Sequence, residues 1–416
     1  VRTFLWTAIK TLAAFLILSG VFLAGRLSQR IGPWASLDPL EPALLSPGNG
    51  QEPGAETIPN LELYRQVWQL LERDFYGEAP DPTQRTYGAI QGLVAAYNDP
   101  YTVFVEPQPR ELERDQLEGS FGGIGAWIDQ EEGQFRLRPM PGQPAEQAGL
   151  LAGDRILRVD ETPVTPEMDM EALLALLHGP VGSEVCLTVE RMVEGTPQER
   201  TVCVTRAEIE TPSVEWRILE RTGPTKVGYI KQSFFSKRSP EEMRRAIQEL
   251  QAQGAQRFVL DLRGNPGGLV SSAIEIASLW LKDGVVLVEE RADGARQEFT
   301  ATGDPLLPEA PLVVLVDGGS ASASEIVAGA LRDRGRALLV GERTFGKGSV
   351  QLVHELPDKS SLHVTNARWF TPKDQAIDGV GLEPDVPVTG EEDPLDRAVA
   401  TLLEMKGPTE TATRLR

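Results

Sequence analysis

Ala310-Pro-Leu-Val-Val-Leu-Val-Asp317-Gly-Gly-Ser-Ala-Ser-Ala-Ser-Glu325-Ile-Val-Ala-Gly-Ala-Leu-Arg332 places a strand, a turn and a helix in one stretch. Ala310–Asp317 is a continuous apolar run of strand length, and from Glu325 the apolar residues recur at helical spacing. Ser320, Ser322 and Ser324 therefore stand at a helix N-terminus. Free backbone N–H groups and the positive end of the helix dipole favour an oxyanion there and disfavour an ammonium. A structural role competes with this, because Ser322-Ala-Ser-Glu325 is also a capping box and Ser320 or Ser324 can cap equally well. Arg336–Gly341 reads as the next strand, and Lys347 follows it. A lysine amine with its ordinary pKa of about 10.4 is a poor base, but burial beside glycines and Phe345 favours the neutral form. A neutral amine can take a proton from a serine hydroxyl.

Moving upstream, Lys226–Phe235 and Arg257–Leu262 read as strands, and Pro240–Gln251 and Leu269–Leu281 as helices. This alternation predicts βαβ units in a largely parallel sheet. Between one strand and helix lies Asp261-Leu-Arg-Gly-Asn-Pro-Gly-Gly268. Its glycines either supply an oxyanion N–H or meet a turn's need for positive φ.

Downstream, Gly341-Glu-Arg-Thr-Phe-Gly346-Lys347 has the spacing of a phosphate loop. Its context is wrong: Gly348 replaces Ser or Thr, and Ser349–Leu356 alternates like a strand instead of opening a helix. That alternation sets 347, 349 and 351 on one face, so the Gln351 amide oxygen can orient the lysine. His354 falls on the other face. A Ser-His-Asp hydrolase has only His178, His354 and His363 to draw on, and these read as surface or half-buried residues.

The chain has 416 residues, enough for several domains. With 41 basic and 61 acidic residues and a net charge of −20, it lacks the footprint of a general nucleic-acid binder. Residues 1–25 are apolar and uncharged from Thr11 onward, with Arg2 and Lys10 ahead, which reads as a signal-anchor or transmembrane segment. Residues 26–59 are Pro- and Gly-rich and read as a tether. Residues 60–116 hold two amphipathic helices, Leu61–Phe75 and Arg85–Tyr97, as a small platform. Cys186 and Cys203 flank Val193-Glu-Gly-Thr-Pro197; if Glu194-Gly195 is the two-residue turn, the cysteines face each other closely enough for a disulfide. A longer turn shifts the register and leaves two thiols.

Two resemblances organise these readings. Ala145-Glu-Gln-Ala148-Gly149-Leu150, Gly153-Asp154, Ile156-Leu157 and Val159-Asp160, with the order of elements around them, resemble a PDZ domain over 117–207. That implies capture of peptide C-termini, with Phe121, Gly122, Gly123, Ile124 and Gly125 at the carboxylate loop. The catalytic region, 208–390, is similar to the C-terminal processing, or tail-specific, serine peptidases. The likeness rests on Tyr87-Gly-Ala-Ile90, Asp99-Pro-Tyr101, Leu260–Gly268, Gly319–Ile326, Phe345–Gln351, Thr371-Pro and Ile377–Asp385. Lys373-Asp-Gln375 departs from the usual glycine-containing turn after Thr-Pro.

The resemblance implies Ser322 as nucleophile, Lys347 as general base and Gln351 as the residue orienting the lysine. Ala323, with Gly267 or Gly268, would donate to the oxyanion. The expected fold class is multidomain: an α/β peptidase core containing βαβ units, a β-rich PDZ module, a helical platform and an N-terminal membrane segment. A C-terminal helical segment follows over 391–416. The expected activity is acyl transfer from polypeptides bound by their C-terminal tails, with no metal or nucleotide cofactor. The alternatives are an inactive PDZ scaffold and a Ser-His-Asp hydrolase. The expected setting is a bacterial cell envelope, membrane-anchored with the catalytic domain extracytoplasmic, or secreted if the leader is cleaved; contacts of the platform or C-terminus would form a homodimer.

Overall fold

A computed structural model describes residues 60–405 apart from 132 and 221–224. The membrane segment and tether expected over 1–59, and the tail beyond 405, lie outside the described residues. Among the described residues no helix is long and apolar enough to cross a membrane. These residues form two compact units, one of 108–348 and 368–405, the other of 60–107 and 349–367.

The second unit contains helices α1 (Leu61–Asp74) and α2 (Pro82–Ala95) and strand β1 (Val103–Val105). Asp81 caps α2 by accepting the Thr83 N–H, and Pro82 occupies the first helical turn, where its missing donor costs nothing. The helix therefore begins earlier than its apolar spacing suggests. Tyr87 on α2 donates to Asp358 at 2.8 Å, and the Thr102 hydroxyl accepts the Thr365 N–H at 3.1 Å.

The first unit opens with α3 (Pro107–Glu118), a helix whose apolar spacing is too sparse to announce it. The PDZ module follows, with β2 (Ser120–Gly123), β3 (Ala126–Glu131), β4 (Gln134–Pro139), α4 (Pro144–Gln147), β5 (Asp154–Val159), β6 (Thr162–Pro163), α5 (Met170–Leu177), β7 (Glu184–Val193), β8 (Thr196–Thr205) and β9 (Ala207–Glu210). Its sheet runs β3-β4-β5-β7-β8, leaving β3 at an edge, and its core gathers Phe135, Leu137, Leu150, Leu173, Leu187 and Val204. The β7–β8 hairpin turns at Glu194-Gly195, both at positive φ, so Cys186 lies opposite Cys203 and the two are joined by a disulfide. β2 and β9 pair antiparallel where the chain enters and leaves the module.

The rest of the unit comprises β10 (Val214–Leu219), β11 (Val227–Gln232), α6 (Ser239–Ala252), β12 (Arg257–Asp261), α7 (Val270–Ser278), β13 (Val285–Arg291), β14 (Arg296–Thr300), β15 (Leu312–Val316), α8 (Ala323–Asp333) and β16 (Leu338–Gly341). After β17 (Ser349–Glu355) and β18 (Ser361–Phe370), which pair with one another, come β19 (Val386–Pro387) and α9 (Pro394–Glu404). The main sheet has the order β10-β11-β12-β15-β16-β19 and is parallel except for β10. Every residue of β15 is buried, as expected of a strand covered on both faces. Ala398 and Leu402 of α9 close one face over Val259, Val313 and Val340. The Arg257 guanidinium donates to the Leu402 and Met405 carbonyls at 2.6 Å each, satisfying the end of α9. With the sheet fixed in this way, the loops after β12, β15 and β16 emerge at the carboxyl ends of three adjacent parallel strands, the position that open α/β sheets use for sites.

Candidate active site

The structure separates three serines that sequence spacing could not. Ser320 is fully buried, donates to the Leu262 carbonyl at 2.8 Å and accepts the Asp317 N–H at 3.0 Å. Ser324, equally buried, donates to the Asn265 carbonyl at 2.9 Å. Both hydroxyls hold the turn to neighbouring loops. Ser322 is half-buried at the N-cap of α8, with φ 53° and ψ −114°, an unusual conformation for a residue with a side chain. Such a strained strand-to-helix turn presents a hydroxyl above the sheet.

The loop after β12 lies against that turn. Asn265 is fully buried; its Oδ1 accepts the Gly267 N–H at 2.9 Å, its Nδ2 donates to the Gln232 carbonyl at 2.8 Å, and its own carbonyl accepts the Ala321 N–H at 3.0 Å. Gly267, at φ +111°, is so close to the serine that a Cβ there would meet Ser322 Cβ at 2.8 Å and the Ala323 nitrogen at 3.0 Å. Gly268, at φ +136°, backs instead onto Phe235, whose carbonyl would lie 2.2 Å from an added Cβ. Phe235 brackets the pair by donating to the Gly267 carbonyl and accepting from the Leu269 N–H. Upstream, Asp261 accepts the Tyr229 hydroxyl at 2.7 Å and a fork of bonds from Arg263. Burial first, and then that bond to Asp261, pushes the Tyr229 hydroxyl up to about 12.

Glu325 joins the serine turn to the lysine loop. Fully buried, it accepts the Ser322 N–H at 2.9 Å, the Thr344 hydroxyl, the Gly346 N–H at 2.8 Å and the Lys347 N–H at 2.9 Å. The Ser322 and Lys347 donors share one oxygen, Oε2, so the two backbones lie within two hydrogen-bond lengths of each other. Burial pushes the Glu325 carboxyl above its ordinary value, while its donors, Thr344 foremost, pull it back. Capping box and site scaffold are thus the same carboxylate.

Lys347 is 3 % exposed. Phe345, expected to help bury it, is instead exposed at 38 %, because its side chain leaves the loop on the solvent side. Trp369 holds the lysine from the other direction, its indole N–H donating to the Lys347 carbonyl at 3.0 Å. The loop is clasped by 377–382: the Gly379 N–H donates to the Gly346 carbonyl, and a Cβ on Gly348 would strike the Asp378 nitrogen at 2.4 Å. The residues after this loop form β17 and not a helix, so the phosphate-loop geometry is absent. In the second unit Gln351 is 1 % exposed, and its amide nitrogen donates to Ser349 at 2.9 Å and Thr365 at 3.3 Å.

The histidines lie elsewhere. His354 is exposed near the end of β17, and His363 is buried in β18 with Nε2 2.9 Å from the Ser361 hydroxyl. His178 stacks on Phe121 at 4.2 Å, and burial depresses its pKa.

The PDZ carboxylate loop is built by close approach. The Gly122 carbonyl accepts the Gly179 N–H at 3.0 Å, the Ile124 carbonyl accepts the Ala145 N–H at 2.8 Å, and a Cβ on Gly125 would meet Gln143 at 2.4 Å. Ile124 anchors the loop in the module's core, and β3 leads from it as an unpaired edge. Sequence reading missed Asn265 and the fourfold role of Glu325. The Asn inside Leu260–Gly268 was visible, but only the fold shows which groups it binds.

Residues 226–388 match peptidase family S41, and residues 136–191 match the PDZ domain. The chain is 41 % identical over 323 residues to a carboxyl-terminal-processing protease of Picosynechococcus sp., covering 77 % of each. It is 37 % identical over 323 residues to the corresponding protease of Synechocystis sp., covering 77 % of this chain and 75 % of that one. Among solved structures it is similar to a photosystem II D1 C-terminal processing protease, at 32 % identity and a TM-score of 0.48, covering 82 % of this chain and 92 % of that one.

Proposed function

The chain belongs to peptidase family S41, and from that premise we propose that Ser322 is its nucleophile and Lys347 its general base. It is a serine peptidase of the carboxyl-terminal-processing kind, with a PDZ domain that supports binding of polypeptide substrates. One observation carries the residue assignment: a single buried oxygen, Glu325 Oε2, accepts the backbone N–H of both Ser322 and Lys347.

In this reading the neutral Lys347 amine removes the Ser322 hydroxyl proton as Oγ attacks the scissile carbonyl. The tetrahedral oxyanion is met by backbone N–H groups. Ala323 is the first donor, at the start of α8. For the second, Gly268 is favoured over Gly267, because the Gly267 N–H is engaged by Asn265 Oδ1. The ammonium then returns its proton to the leaving amine, and water, deprotonated by the same lysine, releases the acyl group. Gln351 keeps the lysine-orienting role that strand alternation and the family resemblance assign to it. A substrate tail extends along the edge of β3, its terminal carboxylate at the Phe121–Gly125 loop.

Ser322→Ala and Lys347→Ala are each expected to lower cleavage of an unfolded protein with an apolar C-terminus on the order of 10⁴-fold or more, with folding retained. Wild-type-like turnover in Lys347→Ala would sink the assignment. We also propose that residues 1–25 anchor the chain to a membrane with the catalytic domain extracytoplasmic, the reading that their apolar run supports. A homodimer through the platform is supported by the exposed Leu63, Val67, Leu70 and Leu71 of α1. Fractionation and sedimentation with and without detergent test both; a detergent-indifferent monomer in the soluble fraction would exclude them.

A further inference from the structure

The lysine loop runs alongside the serine turn. The Phe345 N–H donates to the Ser320 carbonyl at 3.0 Å, and two residues further along both chains the Lys347 and Ser322 N–H groups meet on Glu325 Oε2, each at 2.9 Å. The two backbones are therefore parallel here, with 345 beside 320 and 347 beside 322. Two residues of extended chain span at most about 7 Å, so Ser320, and Phe345 against it, stand within a short step of the nucleophile. The Phe345 side chain does not pack into the loop; it faces water.

A second exposed apolar side chain is set beside it. The Thr344 N–H donates to the Leu382 carbonyl at 3.1 Å, the Leu382 N–H to the Thr344 hydroxyl at 2.7 Å and the Gly379 N–H to the Gly346 carbonyl at 2.9 Å, so 344–346 lies antiparallel to 379–382. A Cβ on Gly346 would meet the Val380 nitrogen at 3.0 Å. Ile377 and Leu382 turn inward and are fully buried, whereas Val380 between them is 52 % exposed. The charged residues at either end of the paired segments already have partners: Arg343 pairs with Glu383, and Asp378 with Arg368 at 3.6 Å. Single apolar side chains at a surface are ordinary. Two of them, side by side on backbone fixed to a catalytic turn and rimmed by ion pairs, have the make-up of a binding surface.

We propose that Phe345 and Val380 form a substrate subsite, which takes an apolar side chain of the polypeptide within two residues of the bond that Ser322 attacks. This rests on the assignment of Ser322 and Lys347 as nucleophile and base. An extended substrate advances about 3.3 Å per residue, so a side chain one or two residues from the scissile carbonyl reaches as far along the chain as Ser320 stands from Ser322. Packing it against the phenyl ring and the isopropyl group removes apolar surface from water on both partners. The same contact holds the scissile bond in register over the serine, so the preference is expressed in kcat/KM. A charged side chain in that place loses water against apolar surface and finds the flanking arginines already paired.

Peptides sharing one apolar C-terminal tail and differing at a single position, Leu or Asp, would be compared by kcat/KM with the full-length protein. The varied position moves from two residues before the scissile bond to two after it, and each cut is verified by mass spectrometry. Wild type should prefer Leu to Asp at one of these positions, and Phe345→Ala combined with Val380→Ser should reduce that ratio about tenfold there and not elsewhere. Phe345→Lys should go further and favour Asp at the same position. A ratio of two substrates on one enzyme is indifferent to how much active protein remains, so a variant that merely misplaces Lys347 leaves it unmoved. Ratios that are unchanged, or lowered equally at every position, overturn the subsite, as does a wild type with no preference for Leu. Fluorophosphonate labelling of Ser322 keeps the two readings apart. Labelling that survives Lys347→Ala removes the base and with it the ground for placing a subsite here, whereas labelling lost in Lys347→Ala together with unmoved ratios sinks the subsite alone.

Discussion

Glu325 and Glu113 are both buried carboxyls in one compact unit, and they are held in opposite ways. Glu325 is surrounded by neutral donors, four of them, from a hydroxyl and three backbone N–H groups. Glu113 is held by a cation, Arg110 on its own helix, and the Lys347 charge also favours its ionised form. Neutral donors fix geometry without competing for a proton. Cations couple a carboxyl to other charges, so its ionisation becomes part of theirs. One glutamate is held by neutral donors and the other by a charged one, although burial alone makes them look alike.

Three experiments would break or sharpen that contrast. The largest effect belongs to Glu325→Ala, which strands several buried donors and unties the serine turn from the lysine loop. The expected loss is at least about 3 kcal/mol of stability together with most activity, measured by denaturant unfolding and turnover. Unchanged stability would show that the donors find water instead. Next is the pH dependence of stability at Glu113, whose folded pKa of about 7 lies above its ordinary 4.5. A raised carboxyl contributes most below the lower value, and its contribution is lost as pH rises through the folded one. Wild type should therefore lose on the order of 2–3 kcal/mol relative to Glu113→Gln between about pH 4.5 and 7.5. A pH-independent difference between the two proteins would contradict the titration. The smallest effect is expected of Thr344→Val. This substitution removes one donor to Glu325 and the acceptor of the Leu382 N–H at 2.7 Å, costing about 1–3 kcal/mol in thermal or denaturant unfolding. A larger loss than that of Glu325→Ala would place the scaffold in the threonine.

Much of this organisation is legible in the sequence, for identifiable reasons. Val227–Gln232, Arg257–Asp261 and Leu312–Val316 are buried strands and read as such, because apolar runs separated by helical periods leave few alternatives. The Glu194-Gly195 turn sets the register of the cysteine hairpin. Helix α3 stayed hidden because Arg110 and Glu113 occupy the face where periodicity looks for apolar residues. The hairpin of β13 and β14 was hidden as well, since Arg296–Thr300 is almost wholly solvent-facing and carries no alternation. Within the site, composition offered three serines and two glycines. Choosing among them depends on which hydroxyls and N–H groups are already bonded, a property of the loop after β12 meeting the turn after β15.

The open edge of β3 has a consequence for the protein in a crowd. A strand edge able to accept a passing tail is equally able to accept the same edge of another copy, which is how ordered aggregates begin. Asp129, Gln130 and Glu131 are all exposed along β3, and Arg138 lies over the exposed ring of Trp127 at 4.5 Å. Two copies zipped edge to edge would crowd Asp129 and Glu131 of each against those of the other, so the strand can stay available to visitors while discouraging its own kind.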